Sequence, residues 1–163
     1  QKDHEKSAYH FTRALEIKPD DYRSPLLLLA DLVEIGRLDE RDRYLEMGLK
    51  RAQEAVERHP DNPDPLELSA SVLASLGKFD EARVWLNRAL SMESHSYSTD
   101  GYNVACVYAL IGETEEALDC LEKVYPSLGP VQRAWMKNDP DFLSLRSHPR
   151  FRLLLNATLE TNS

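Results

Sequence analysis

The chain has 163 residues, 42% of them hydrophobic and 29% charged, with a formal net charge of -8 and two cysteines. That is enough apolar material for a sizeable core, yet the acidity argues against nucleic acid as a partner, because phosphate contacts need clustered Lys and Arg. Cys106 and Cys120 lack CxxC spacing and are too few for a disulfide scaffold. No apolar stretch approaches the roughly 20 residues that span a bilayer, and no basic-then-apolar N-terminus marks a signal peptide. The expectation is a soluble, cytoplasmic protein with no membrane partner.

In chain order, a first helix is predicted over about Asp3 to Ile17, with Ser7, Phe11, Ala14 and Leu15 on its buried face at three- and four-residue spacing. Pro19 ends it. A second helix, about Tyr22 to Glu34, carries Leu26 to Leu29, Leu32 and Val33 and stops at Gly36. Its partner begins near Asp39, a plausible N-cap, and runs to Arg58, with Tyr44, Gly48, Ala52 and Ala55 in phase. Seven extra residues make this helix two turns longer than expected, so Tyr44, Met47 and Lys50 are placed on a projecting extension that could contact a partner.

Pro63 and Pro65 open the next helix through Leu66, Ser69, Ala70 and Leu73; Gly77 turns the chain, and Phe79, Ala82, Trp85, Leu86 and Ala89 line the helix after it. Small residues at Ala70 and Ala82 let that pair approach closely. A further pair places Tyr102, Val104, Ala105 and Tyr108 before Gly112, and Ala117, Leu121 and Val124 after it. Closures recur at Pro19, Pro60 and Ser94, 41 and then 34 residues apart, while Gly77 to Gly112 is 35, a residue having been inserted between Ser94 and Asp100. After Pro126 the period ends. Residues 1 to 129 hold 15 basic and 25 acidic side chains, against 5 and 3 in 130 to 163, so the tail is a separate electrostatic segment.

Helix pairs repeating near every 34 residues resemble the tetratricopeptide repeat, in which no unit buries its apolar face alone. The residues that carry the resemblance are Leu73, Gly77, Ala82, Leu86 and Ala89, then Ala105, Tyr108, Gly112, Ala117, Leu121 and Val124. Weaker copies are Ser7, Phe11, Ala14 and Pro19, then Leu28, Leu32, Gly36, Gly48, Ala55 and Pro60. The resemblance implies an all-α, right-handed α-solenoid of helix-turn-helix repeats over 1–126. Residues 127–163 form C-terminal capping helices of the same domain. The first repeat lacks its first helix, so the chain is read as a fragment. Val131, Trp135, Phe142, Leu145, Phe151, Leu154 and Leu155 are expected to close the last apolar face, with helix starts at Asp141 and Ser147.

The tail is also similar to the end of repeat regions in bacterial signalling proteins. Tyr102-Asn103-Val104-Ala105-Cys106-Val107-Tyr108, Asn138-Asp139-Pro140-Asp141-Phe142 and Leu145-Arg146-Ser147-His148-Pro149-Arg150-Phe151 carry that likeness. There such arrays follow class III adenylate cyclase, winged-helix or kinase domains. The likeness implies a regulatory region and transfers no catalytic residue.

No chemistry-bearing motif stands out. His4, His10, His59, His95 and His148 show no metal-ligand spacing; no phosphate loop or nucleophile elbow is present. Glu113, Glu115, Glu116 and Asp119 surround a helix start, where acidic residues suit the dipole. Asn156-Ala157-Thr158 fits a glycosylation sequon and is read as chance. Catalytic, cofactor and metal residues are therefore expected to be none.

The expected function is a non-catalytic module that docks a protein or peptide, or another domain of its own polypeptide. The default surface is the groove on the outward face of each repeat's first helix: Arg23, Leu27 and Ala30; Asp64, Glu67, Ser71 and Ala74; Thr99, Tyr102, Asn103 and Cys106. Without a Lys cluster it is not expected to hold acidic C-terminal tails. The alternatives are a weakly self-associating scaffold or adaptor joined through the open N-terminal edge, and a catalytic or ligand-binding solenoid.

Overall fold

In the computed structural model the described residues are 2–92 and 97–160, with side chains at 2–92 and 101–156. Residues 94–96 of the 94–100 linker, Ser94 and His95 among them, thus lie outside the described residues, as do the side chains of Thr99, Ala157 and Thr158. The α-helices are α1 (Lys2–Ile17), α2 (Arg23–Glu34), α3 (Leu38–Arg58), α4 (Asp64–Ser75), α5 (Phe79–Leu90), α6 (Tyr97–Ile111), α7 (Thr114–Val124), α8 (Pro130–Met136) and α9 (Pro149–Glu160). Short 3₁₀ turns at Tyr125–Ser127 and Pro140–Leu145 join the last of them.

Three turns set the architecture. Gly36, Gly77 and Gly112 sit at φ 76°, 75° and 87°, in the left-handed region where a Cβ is penalised. In each the next residue's N–H reaches back to the helix: Arg37 to the Leu32 carbonyl, Lys78 to Leu73 and Glu113 to Tyr108, all at 2.9 Å. That bond closes the last turn and folds α2 on α3, α4 on α5 and α6 on α7. The first helices also pack side by side, α2 on α4 and α4 on α6. One apolar cluster runs from Leu26 through Ala70, Leu73, Ala82 and Leu86 to Leu118, Leu121 and the tail, so each pair completes its neighbour's core.

The two extra turns of α3 are not where the sequence reading put them. Counted from the turn glycine, Leu45 stands where Leu86 does and Gly48 where Ala89 does, and Gly48 lies against Leu26. Tyr44 is half-buried against the core, and Met47 is half-buried as well; Lys50 alone of the three is exposed. The additional length is the C-terminal end of the helix. There Arg51 donates to the Asp21 carbonyl at 3.2 Å and Arg58 to the Asp20 carboxylate at 3.3 Å, tying α3 to the α1–α2 connection. It is an internal brace, because Ala52 and Ala55 are buried along it. Asp39 is likewise not a cap: the N-cap position is Arg37, and Asp39 lies in the first turn.

On α1, Ala8 is the buried residue, while Ser7, Phe11, Ala14 and Leu15 are half-covered, since α2 packs on one side of the helix. At the other end Met136, Phe142, Leu145 and Phe151 are fully buried and form the cap. Arg150 fastens it, donating to Glu115 at 2.7 Å, to Asp119 at 2.6 Å and to Glu122 at 2.8 Å. Val131 and Trp135, expected in the cap, instead remain 83% and 61% exposed. The 3₁₀ segment starts from Asp139 rather than Asp141, with the Asp139 side chain accepting the Asp141 N–H.

Candidate partner-binding groove

Because α2, α4 and α6 lie side by side, their outward faces form a continuous surface on which the described residues line three hollows. The first, about 300 Å³, is apolar, with Leu27, Ala30 and Val33 of α2 facing Val72 and Leu76 of α4. The second, about 150 Å³, is polar and lined by Arg23, Asp64, Glu67, Leu68, Ser71 and Asn103. The third, about 380 Å³, lies where α6 meets the cap, between Tyr102, Asn103, Val131, Gln132 and Trp135. Asn103 lines both the second and the third, so these two adjoin.

Of the expected groove residues, Arg23, Asp64, Glu67, Ser71 and Asn103 gather in one hollow, Tyr102 lies in the next and Leu27 in the apolar one. Arg23 and Asp64 form an ion pair across α2 and α4, and the Arg23 guanidinium stands 5.6 Å from the Tyr22 ring centroid. Glu67 is buried at the hollow's wall. Cys106 does not belong to the surface: it is 5% exposed and closed over by the cap.

Beneath the third hollow lies a hydrogen-bonded hub that the sequence reading missed. Asp139 is buried, and its Oδ2 accepts from the Tyr102 hydroxyl at 2.7 Å and the Trp135 Nε1–H at 3.2 Å, while Oδ1 accepts the Asp141 N–H at 3.0 Å. One carboxylate therefore fixes both aromatic walls. Tyr102 also packs edge-on to Phe142, ring centroids 5.4 Å apart. An Asp-Pro pair after a short helix was a legible capping signal. The Tyr102 and Trp135 contacts were not, since only the folded cap brings them to it.

Burial raises the Tyr102 pKa, and the bond to Asp139 raises it further, so the phenol stays a donor. Burial pushes the Cys106 thiol well above its ordinary range, with Asp141 and Asp139 adding to the effect, and Cys120 is pushed up to about 11 chiefly by burial. Burial and then Asp139 hold the Asp141 carboxyl above the usual carboxylate range. Ligand atoms of Cys106, Asp139 and Asp141 come within 4.8 Å of one another. A cation there would have to displace three N–H or O–H donors already on Asp139, and the thiol is held protonated, so the set fits a hydrogen-bonded hub better than a metal centre.

Residues 65–95 match the tetratricopeptide repeat model. That span covers most of α4 and all of α5. The fold agrees with the crystal structure of MamA, TM-score 0.52 at 16% identity, over 98% of this chain and 89% of that one. The molecule is an all-α, right-handed α-solenoid of tetratricopeptide helix pairs with C-terminal capping helices. A chloroplastic protein of Arabidopsis thaliana is 28% identical over 124 residues, which are 74% of this chain and 35% of that protein. The chain thus spans about a third of the length of that relative. Neither likeness supports the adenylate cyclase connection read from the tail. Among the described residues no helix is long and apolar enough to cross a membrane.

Proposed function

We propose that this chain is a non-catalytic protein-docking module whose tetratricopeptide groove, ending at the cap, receives a segment of a partner or of another domain. The repeat array 1–126 and the cap 127–163 act in it as one domain. The observation that carries the reading is the adjoining pair of hollows that share Asn103, one of them walled by a tryptophan and a valine left exposed while Met136, Phe142, Leu145 and Phe151 of the cap are buried. Exposed aromatic and apolar side chains beside a concave polar surface are the anchors that protein interfaces use. Placement next to a cyclase-like effector rests on the tail motif alone.

The test is affinity capture from the source organism with the parent chain and with Val131→Glu, which alters an 83%-exposed side chain and leaves the core untouched. Partners retained by the parent and lost by the variant support the groove. Equal retention by both would put the docking surface elsewhere. The open face of α1, where Tyr9 and Ile17 are exposed beside half-covered Phe11, favours self-association as the second reading. A sedimentation profile that stays monomeric at high concentration removes it.

A further inference from the structure

Away from the groove, the structure assigns α1 the role of a releasable strap, latched near its start by His4 on Asp31 and hinged at its end on a braced connection. Leu28, Asp31, Leu32 and Ile35 follow one another at three- and four-residue spacing and share the stripe of α2 that α1 covers. Ala8 and half-covered Phe11 pack on its apolar members. Asp31 is out of pattern. It stands five residues before the turn glycine Gly36, where Val72 precedes Gly77 and Val107 precedes Gly112 by the same count. It is nonetheless only 8% exposed, and its Oδ1 lies 2.8 Å from His4 Nδ1, so the imidazole N–H donates to the carboxylate.

A valine at this place would favour closure whatever stood opposite it. A carboxylate must leave water when α1 closes, and a closed state without a donor would strand it. Closure is thereby made conditional on the hydrogen bond from His4. The apolar part of the contact is small: Ala8, Leu28 and Leu32 form a buried cluster of their own, distinct from the one that runs through the later helix pairs, with half-buried Tyr44 touching both. Release of α1 therefore leaves the larger core intact, as expected of a locally opening unit. The other end of the helix is held. Arg51 and Arg58 of α3 grip the Asp21 carbonyl and the Asp20 carboxylate, and the Asp21 carboxylate accepts the Ser24 N–H at 2.8 Å. Opening then swings α1 about residues 18–21 and uncovers Leu28 and Leu32, each 1% exposed in the closed form. A helix of 16 residues freed from its partner is marginal in water, so the open state also frees the amides of α1.

The experiment is amide hydrogen exchange followed by NMR on the full chain, under conditions in which exchange reports the opening equilibrium. The parent is compared with His4→Ala, Asp31→Leu and the double variant, and Asp31→Asn, nearly the same shape, serves as a second background should Asp31→Leu not fold. In the parent, α1 should exchange through an opening that leaves α4 to α7 protected, and the Ser24 amide should stay protected with them. His4→Ala should raise the opening constant of α1 about tenfold. Asp31→Leu should lower it below the parent value, because an apolar residue has no charge to strand. In the Asp31→Leu background His4→Ala should change it by less than about twofold, the signature of a coupled pair, and in the Asp31→Asn background by about threefold. Equal protection of α1 and α4 to α7 in the parent overturns the strap. So does a His4→Ala variant with no faster exchange in α1, one whose acceleration is the same whatever stands at position 31, or one whose acceleration is spread evenly over the array. Release of the Ser24 amide together with α1 overturns the hinge.

Discussion

Asp139→Ala removes a carboxylate that joins the groove to the cap, and its cost can be worked from the contacts. The Asp141 N–H loses its cap acceptor, worth about 1 kcal/mol. The Tyr102 hydroxyl, half-buried and 2.7 Å from Oδ2, loses a charged acceptor worth about 1.5 kcal/mol. Trp135 is 61% exposed, so its Nε1–H passes to water at little cost. Removing the charge relieves Asp141, whose carboxyl is disfavoured by burial and then by Asp139, and this offsets part of the loss. The net is a loss of about 2 kcal/mol, or a fall of about 4 to 8 °C in melting temperature for a chain of this size. Repeat arrays need not unfold as one unit. The informative assay is therefore urea unfolding followed by circular dichroism, combined with amide hydrogen exchange. Protection should fall in α8, the Pro140–Leu145 turn and the first half of α6, while α2 and α3 keep theirs. Asp139→Asn, which retains an acceptor oxygen, should lose about half as much. A loss below 0.5 kcal/mol, or one spread evenly over the array, would refute the hub.

Gly48→Ala should destabilise by about 1 to 2 kcal/mol despite the better helix propensity of Ala, because its Cβ would stand 2.6 and 2.7 Å from the Cδ2 and Cγ of Leu26, which is 1% exposed. A gain in the urea midpoint would show that the α2–α3 contact can open. Gly77→Ala meets no atom within 4 Å yet should lose about 1 kcal/mol, since its φ of 75° is strained for any L side chain. For Asp141→Asn the sign follows from burial, which raises the folded pKa above the unfolded one. The stabilisation from the protonated form is present below the unfolded pKa and lost as pH rises through the folded one. The amide should therefore raise the melting temperature at pH 7, and the gain should shrink as the pH is taken down to about 4. A loss at pH 7, or a gain that does not change with pH, would contradict the burial argument.

Sequence by itself determined the helix pairs. Gly36, Gly77 and Gly112 recur where a left-handed residue must end a helix, and small residues such as Ala70 and Ala82, both fully buried, recur where helices touch. Each of these is a local requirement or a one-face period, which a linear pattern can carry. The groove positions Arg23, Asp64, Ser71 and Asn103 were legible for the same reason, since the face opposite a helix's buried stripe follows from the 3.6-residue period.

What the tertiary structure decided was every contact between elements with no shared period. The two added turns of α3 keep their phase wherever they are inserted, so the pattern could not tell a projecting end from a brace under Asp20 and Asp21. Cys106 and Tyr102 are four residues apart on α6, yet the cap seals the first and leaves the second at the rim of a hollow. Val131 and Trp135 carry the same apolar signal as Phe142 and Phe151, but α8 is a seven-residue helix whose one face can be covered, and Met136 took that place. Apolarity states how much a side chain gains by leaving water; which apolar residues do leave it is settled by how many surfaces the packed helices can offer.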